Sequence, residues 1–111
     1  MTIAVDQIDM GALHKSATQA CALLKVLANP DRLLLLCQLT QGEQCVSELE
    51  EALGIQQPTL SQQLGVLRSE QLVSTRREGK QIFYSFASKE AMAVMQVLYE
   101  MYCKKAKGKK S

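Results

Sequence analysis

Apolar residues recur every three or four positions along most of this chain, a pattern that predicts a mainly helical fold. Asn29 and Ser88 carry side chains suited to capping helix N-termini. The third helix can be capped by Cys45, or by Ser47 with Glu50 at capping-box spacing. The five predicted helices span about Met10–Ala28, Pro30–Gln41, Val46–Leu53, Pro58–Glu70 and Lys89–Cys103.

Strand-like segments interrupt this helical pattern once. Leu72–Arg77 and Lys80–Phe86 read as two strands around a Glu78-Gly79 turn, with alternate apolar residues on one face of the second strand. The third and fourth helices are separated by a tight turn at Gly54. The fold class is therefore predicted as mainly α with a small β-hairpin: a winged helix-turn-helix with five helices and a two-stranded wing.

Length and charge fit a single domain with two different ends. The chain has 111 residues and a net charge of +2, with five of its lysines among residues 104–111. We expect a flexible arm over 1–9, the folded domain over 10–103 and a basic, disordered tail over 104–111. Without a long apolar run or a cationic leader, a cytoplasmic protein with no membrane partner is expected.

The fourth helix and the hairpin carry the candidate chemistry. Thr59, Gln62 and Gln63 are predicted to point away from the leucine stripe of that helix, with Ser61 at its margin. A solvated helix face is the plain alternative, but the basic hairpin that follows favours contact with duplex DNA. The DNA-binding candidates are Gln57, Thr59, Ser61, Gln62, Gln63, Arg68, Arg76, Arg77 and Lys80.

Several motifs together make the chain resemble the ArsR/SmtB family of bacterial repressors. They are Leu27-Ala28-Asn29-Pro30-Asp31-Arg32-Leu33, Val46-Ser47-Glu48-Leu49, Gln57-Pro58-Thr59-Leu60-Ser61-Gln62-Gln63-Leu64, Val66-Leu67-Arg68, Leu72-Val73 and the wing from Arg76 to Tyr84. The resemblance implies a homodimer formed through the first and last helices that binds a palindromic operator. Gln71 departs from the family, which usually has glycine there, so strain is expected at that helix end.

The cysteines do not form a recognisable metal site. No two are arranged as Cys-x-x-Cys, and a last-helix site would need histidines, whereas His14 is the only histidine. Cys45-Val46-Ser47 keeps one thiol of the Cys-x-Cys pair of arsenic-type sites and replaces the other by a hydroxyl. Cys21 is interpreted as a packing residue of the first helix. No metal and no cofactor are therefore predicted.

Cys37 and Cys103 are the candidate sensors. Each taken alone is most simply a small buried hydrophobe. Their joint placement, one in the second helix and one near the end of the last, resembles the biofilm growth-associated repressor (BigR) branch of the family. That resemblance implies oxidation of the two residues by reactive sulfur species to a disulfide or polysulfide bridge, which would lower operator affinity.

Other functions stay open at this point. The same DNA-binding protein could be a metalloid or metal sensor using Cys37, Cys45 and Cys103, or an anti-silencer that displaces another DNA-bound protein. A thiol-redox enzyme is disfavoured because Cys-x-x-Cys is missing, and no enzymatic activity is predicted. A purely structural dimer, whose helix pair contacts only protein, is the remaining alternative.

Overall fold

Helices and one small sheet make up the part of the chain that the structure describes. The computed structural model describes residues 9–104, apart from the side chain of Lys104. Its elements are α1 (Met10–Leu27), α2 (Pro30–Leu39), β1 (Gln44–Cys45), α3 (Val46–Leu53), α4 (Gln57–Ser69), β2 (Val73–Glu78), β3 (Gln81–Phe86), α5 (Lys89–Leu98) and a π-helical segment (Tyr99–Lys104). The predicted arm and basic tail lie outside these residues, except for Asp9 and Lys104.

Side chains cap most of the helices, as the sequence indicates. Asn29 Oδ1 accepts from the backbone N–H of Arg32, and Ser88 Oγ accepts from that of Ala91. At α3, Glu48 accepts from the backbone N–H of Cys45. The capping residue there is Cys45, so the capping box expected at Ser47 and Glu50 lies two residues earlier.

The sheet has one more strand than predicted. Its order is β1-β3-β2, all antiparallel, with Gln44 opposite Tyr84 and Cys45 opposite Phe83. The predicted two-stranded wing is confirmed as the β2–β3 hairpin. β1 adds a third strand to its sheet, and a strand of two residues is too short to give an alternating pattern in the sequence. The turn lies at Gly79 and Lys80, one residue later than expected, because Glu78 still pairs with Gln81.

Leucines from the central helices form the core. α1 contributes only Val26 and Leu27 to the buried set, so most of this long helix is left uncovered by residues 9–104. Full burial of one leucine side chain stabilises a fold by about 1.5–3 kcal/mol, so these contacts fix α2, α3 and α4 around one another. The largest fully buried side chains are Leu35, Leu36, Leu49, Leu60, Leu64 and Leu67.

The last helix changes its geometry near its end. It begins at Lys89 as predicted but is α-helical only to Leu98; the six residues from Tyr99 to Lys104 are π-helical. The helix expected to run to Cys103 does so, but its final turn is π-helical. Such segments are rare in proteins and occur often at functional sites.

Left-handed backbone ends two helices. Gly54 follows α3 with φ 71°, as its place in the tight turn requires. Gln71 follows α4 with φ 66°, and its N–H donates to the carbonyl of Arg68 while that of Leu72 donates to Leu67. Because a side chain disfavours this conformation, the strain predicted at Gln71 has a concrete backbone origin.

Replacing Gln71 by glycine should stabilise the protein. Relief of the left-handed strain exceeds the added entropy of the unfolded chain, so Gln71→Gly should raise the free energy of unfolding by about 0.5–1 kcal/mol. Urea unfolding followed by circular dichroism, at one fixed protein concentration, measures this difference. Glu70→Gly is the matched control: φ at Glu70 is −88°, so glycine there should destabilise. A loss of stability in both variants would contradict the strain at Gln71.

Candidate nucleic-acid interface and cysteine cleft

The helix pair α3–α4 presents one polar face. Leu60, Leu64 and Leu67 turn inward, and the amide of Gln57 donates to Glu50 of α3 at 3.4 Å, which adds a polar contact between the two helices. Thr59 lies roughly 100° around the helix from Leu60 and is exposed. This α4 carries polar side chains on the surface that a groove-reading helix must present.

Within α4, Gln63 differs from what the sequence predicts. Ser61 is exposed, like Gln62, whereas Gln63 is half-buried. The side-chain oxygen of Gln63 accepts a 2.8 Å hydrogen bond from the guanidinium of Arg32. The prediction that Gln63 points outward is therefore wrong, because its side chain turns toward Arg32 of α2. Ser61, roughly 100° around the helix from Leu60, is exposed at the edge of the leucine stripe. Whether these side chains contact bases stays a prediction.

The wing places its basic residues in two different environments. Arg77 and Lys80 are exposed near the tip of the hairpin, and Arg68 is exposed in the last turn of α4. Arg76 instead donates to both carboxylate oxygens of Glu43, at 2.8 and 2.9 Å, and to Glu78 at 2.8 Å. Arg76 thus differs from the other three cations of the predicted interface, because two carboxylates hold its guanidinium.

This ion-pair network is coupled to protonation. The hydrogen bond from Arg76 lowers the pKa of Glu43, and the hydrogen bonds to Glu43 and then to Glu78 raise the pKa of Arg76. Because the folded-state pKa of Glu43 lies below its ordinary value of 4.5, the pair is intact above that pH and is lost only as acid protonates Glu43. The guanidinium also lies 4.8 Å from the centre of the Phe83 ring, which fixes it against the sheet.

A cleft separates α2 from α5 beside one cysteine. It measures about 610 Å³, and its walls include Cys37 from α2 and Met92, Met95 and Tyr99 from α5 and the segment that follows. Cys37 is half-buried, and Cys103 is exposed four residues beyond Tyr99. The two candidate sensor residues therefore belong to elements that face each other across one opening.

The other two thiols lie elsewhere. Cys45 is buried, has its Sγ 3.3 Å from the Ser47 hydroxyl and borders a different pocket with Lys80. Cys21 is exposed on α1 in one copy, so its interpretation as a packing residue stays a prediction. Among residues 9–104, no group of three or more His, Cys, Asp or Glu side chains is arranged to hold a metal ion. The three-cysteine alternative therefore lacks a preformed site there.

Sequence reasoning missed two residues of this region. Arg32 and Glu43 were not candidates, yet they contact Gln63 and Arg76, which were. Arg32 belongs to a recognisable Asn-Pro-Asp-Arg segment, but its partner lies 31 residues away, and 33 residues separate Glu43 from Arg76. No local sequence pattern can reveal contacts between residues that are so far apart along the chain.

Comparison with known proteins gives the family. The model for "Bacterial regulatory protein, arsR family" matches residues 29–75. The biofilm growth-associated repressor of Agrobacterium fabrum is 52% identical over 99 residues, covering 89% of this chain and 85% of that protein. The crystal structure of the transcriptional repressor BigR from Xylella fastidiosa superposes with a TM-score of 0.79 at 46% identity, covering 87% of this chain and 96% of that one.

A third relative has a stated assembly. A homodimeric winged helix-turn-helix DNA-binding domain from Mycobacterium bovis superposes with a TM-score of 0.69 at 32% identity, covering 88% of this chain and 89% of that one. The fold is thus that of a winged helix-turn-helix DNA-binding regulator, as the sequence predicts. The chain belongs to the ArsR family and is similar to its biofilm growth-associated repressors, so it is a transcription regulator and not an enzyme. No helix within residues 9–104 has the length and apolar character needed to span a membrane.

Salt dependence should distinguish the two neighbouring wing arginines. If exposed Arg77 contacts a phosphate, Arg77→Ala should reduce the slope of log affinity for duplex DNA against log salt by about 0.9 for each phosphate that the side chain neutralises. Arg76→Ala should leave that slope within about 0.3, because Glu43 and Glu78 already neutralise Arg76. Fluorescence anisotropy titrations at about six salt concentrations, between roughly 50 and 300 mM, measure both slopes. An equal reduction of the slope in the two variants would refute the distinction.

Proposed function

We propose that this protein represses transcription by binding operator DNA with α4 in the major groove and the wing against the flanking phosphates. The observation that carries this proposal is the exposed polar side of α4, with Thr59, Ser61 and Gln62, together with exposed Arg77 and Lys80 of the wing. Side chains of this kind donate to base edges, and cations at a hairpin tip attract phosphates without regard to sequence.

Arg68 completes the proposed interface at the far end of α4. Duplex DNA selected by the protein from a random pool would supply an operator for quantitative binding. Transcription in vitro from that site with this protein alone tests repression directly, since an anti-silencer would have no effect without the second protein. Failure to select any duplex sequence would contradict the proposal.

A second copy of the chain is part of this proposal. In one copy, large apolar side chains remain exposed on α1 and at the end of α5: Met10, Leu13, Leu24, Val97, Tyr99, Met101 and Tyr102. Apolar surface of this extent is a marker of an interface. The homodimeric domain from Mycobacterium bovis supports the same assembly. Two copies related by a twofold axis would place two α4 helices on half-sites about 34 Å apart, and hence on a palindrome.

A charge in this apolar surface should separate the two copies. Val97 is 55% exposed in one copy, and Val97→Glu would bury an unpaired carboxylate between copies, at a cost of several kcal/mol. We expect the variant to sediment as a monomer at concentrations at which the parent protein is dimeric. Ala52→Glu, at an exposed position of α3, is the matched control and should remain dimeric. A dimeric Val97→Glu variant would exclude the α5 surface.

Regulation by thiol chemistry is the second element of the proposal. Cys37 lines the cleft between α2 and α5, and Cys103 is exposed in the π-helical segment that continues α5. A thiol reacts as its thiolate and only where reagents reach it, so exposed Cys103 is the first to meet a reactive sulfur species. The similarity to biofilm growth-associated repressors supports the pairing of these two residues.

The persulfide reagent itself supplies the oxidising equivalents that the proposed reaction needs. The Cys103 thiolate takes the outer sulfur of an organic persulfide and releases the organic thiol. The Cys37 thiolate then attacks the inner sulfur of the Cys103 persulfide, which forms a disulfide and releases hydrosulfide. If both cysteines carry an added sulfur, their condensation gives a longer bridge with loss of hydrogen sulfide. The persulfide is the oxidant in each case.

Closing the bridge changes the dimer geometry. A disulfide demands Cβ atoms about 3.5–4.5 Å apart, so its formation would draw the end of the last helix across the cleft toward α2. That end also carries exposed apolar residues of the proposed dimer surface, including Met101 and Tyr102. The spacing of the two α4 helices would then shift, and a change of about 1.4 kcal/mol in binding free energy lowers operator affinity tenfold.

Cysteine variants test this switch. Treatment with an organic persulfide should lower operator affinity of the parent protein by about tenfold or more, and dithiothreitol should restore it. Cys37→Ser and Cys103→Ser should each bind the operator but no longer respond. Cys21→Ser, which removes another exposed thiol, should respond like the parent protein. Mass spectrometry of the treated protein identifies the linked residues, and release of DNA by the Cys37→Ser variant would exclude the dithiol switch.

A further inference from the structure

One arginine of α2 connects this helix to α1 and to α4. Arg32, in the first turn of α2, donates from Nε to the carbonyl of Val26 at 2.6 Å and from Nη1 to Gln63 Oε1 at 2.8 Å. Its own backbone N–H is bound by Asn29 at 3.0 Å. Both side-chain hydrogen bonds are partly buried, so water competes for them less than on an open surface.

The position of Gln63 on α4 explains its availability to Arg32. At 3.6 residues per turn, Gln63 lies roughly 60° around the helix from buried Leu60, whereas Gln62 lies roughly 160° away, nearly opposite the core. Gln63 is accordingly half-buried and Gln62 exposed. The two adjacent glutamines are chemically identical but face different surroundings.

The bond to Arg32 also occupies part of the amide group that base reading uses. A glutamine reads adenine by accepting from N6 with its oxygen while donating to N7 with its nitrogen. In this structure the oxygen of Gln63 accepts from a cation, and hydrogen bonds with one charged partner are the stronger ones. To pair with adenine, Gln63 Oε1 would have to share its acceptor with Arg32, or the side chain would have to turn away from α2 and break that hydrogen bond.

We propose that Gln63 is a positioning residue and makes no base contact. Its hydrogen bond with Arg32 sets the rotation of α4 about its own axis, relative to α2 and the end of α1. The proposal rests on the proposed function in one respect, that α4 is the element that enters the groove. It divides the polar residues of α4 into those that meet DNA, such as Gln62, and one that fixes the helix. It also links α4 to α1, the helix of the proposed dimer surface, through the carbonyl of Val26.

A carboxylate at each glutamine position separates the two roles. Gln63→Glu keeps an acceptor for Arg32 and turns the hydrogen bond into an ion pair, so operator affinity should fall by no more than about threefold. Gln62→Glu points a negative charge at DNA and should lower affinity by roughly tenfold or more. Anisotropy titrations at one salt concentration on the selected duplex give both values, with thermal unfolding as the check that each variant folds. Equal reductions of affinity in the two variants would overturn the proposal.

Base preference provides a second readout. Gln63→Leu should weaken binding to the selected duplex and to its single-base variants by the same factor, whereas Gln62→Leu should relax preference at one base pair. The double variant with Arg32→Ala and Gln63→Leu should bind DNA no more weakly than the weaker-binding single variant. In the double variant with Arg32→Ala and Gln62→Leu, by contrast, the two reductions of binding free energy should add. Altered preference at one base pair in Gln63→Leu would overturn the positioning role. A parent protein that binds no duplex would instead refute the proposed function.

Discussion

Burial of one side of α4 is the constraint on which the rest of this molecule depends. Leu60, Leu64 and Leu67 are fully buried, and their packing anchors a thirteen-residue helix whose other side stays polar and open. An isolated helix of this length is marginal in water, so the leucine contacts supply its stability. Two polar side chains of α4, those of Gln57 and Gln63, also make contacts within the protein, and the exposed ones between them are free for DNA. This division allows a regulator to change the bases it reads without changing its core.

The elements that follow local patterns were predictable from the sequence. Helix spacing indicated the existence of all five α-helices, and α3 has the predicted bounds. Asn29 and Ser88 cap as expected because capping needs only a side chain and a backbone N–H a few residues away. Gln71 departs from the residue usual in its family, and the backbone there is left-handed.

The remainder depends on contacts between distant residues. β1 exists only because β3 provides its partner, and no two-residue pattern could announce it. Arg76 was expected among the DNA contacts from its charge alone, but Glu43, 33 residues earlier, occupies its guanidinium. Gln63 was expected to point outward, although its helical angle, roughly 60° from Leu60, already places it beside the core, where Arg32 is its partner. Charge and periodicity therefore indicate a candidate interface, and tertiary contacts distinguish the residues within it.

The wing's charges have a further consequence for solubility. The sheet is open at both edges: β1 covers only two residues of β3, and β2 has no outer neighbour among residues 9–104. Unpaired strand edges are templates for aggregation, which proteins suppress with charged side chains and short strands. On β2, exposed Arg76, Arg77 and Glu78 meet that need. Making this hairpin less basic to weaken DNA binding would therefore also expose a strand to pairing with other molecules.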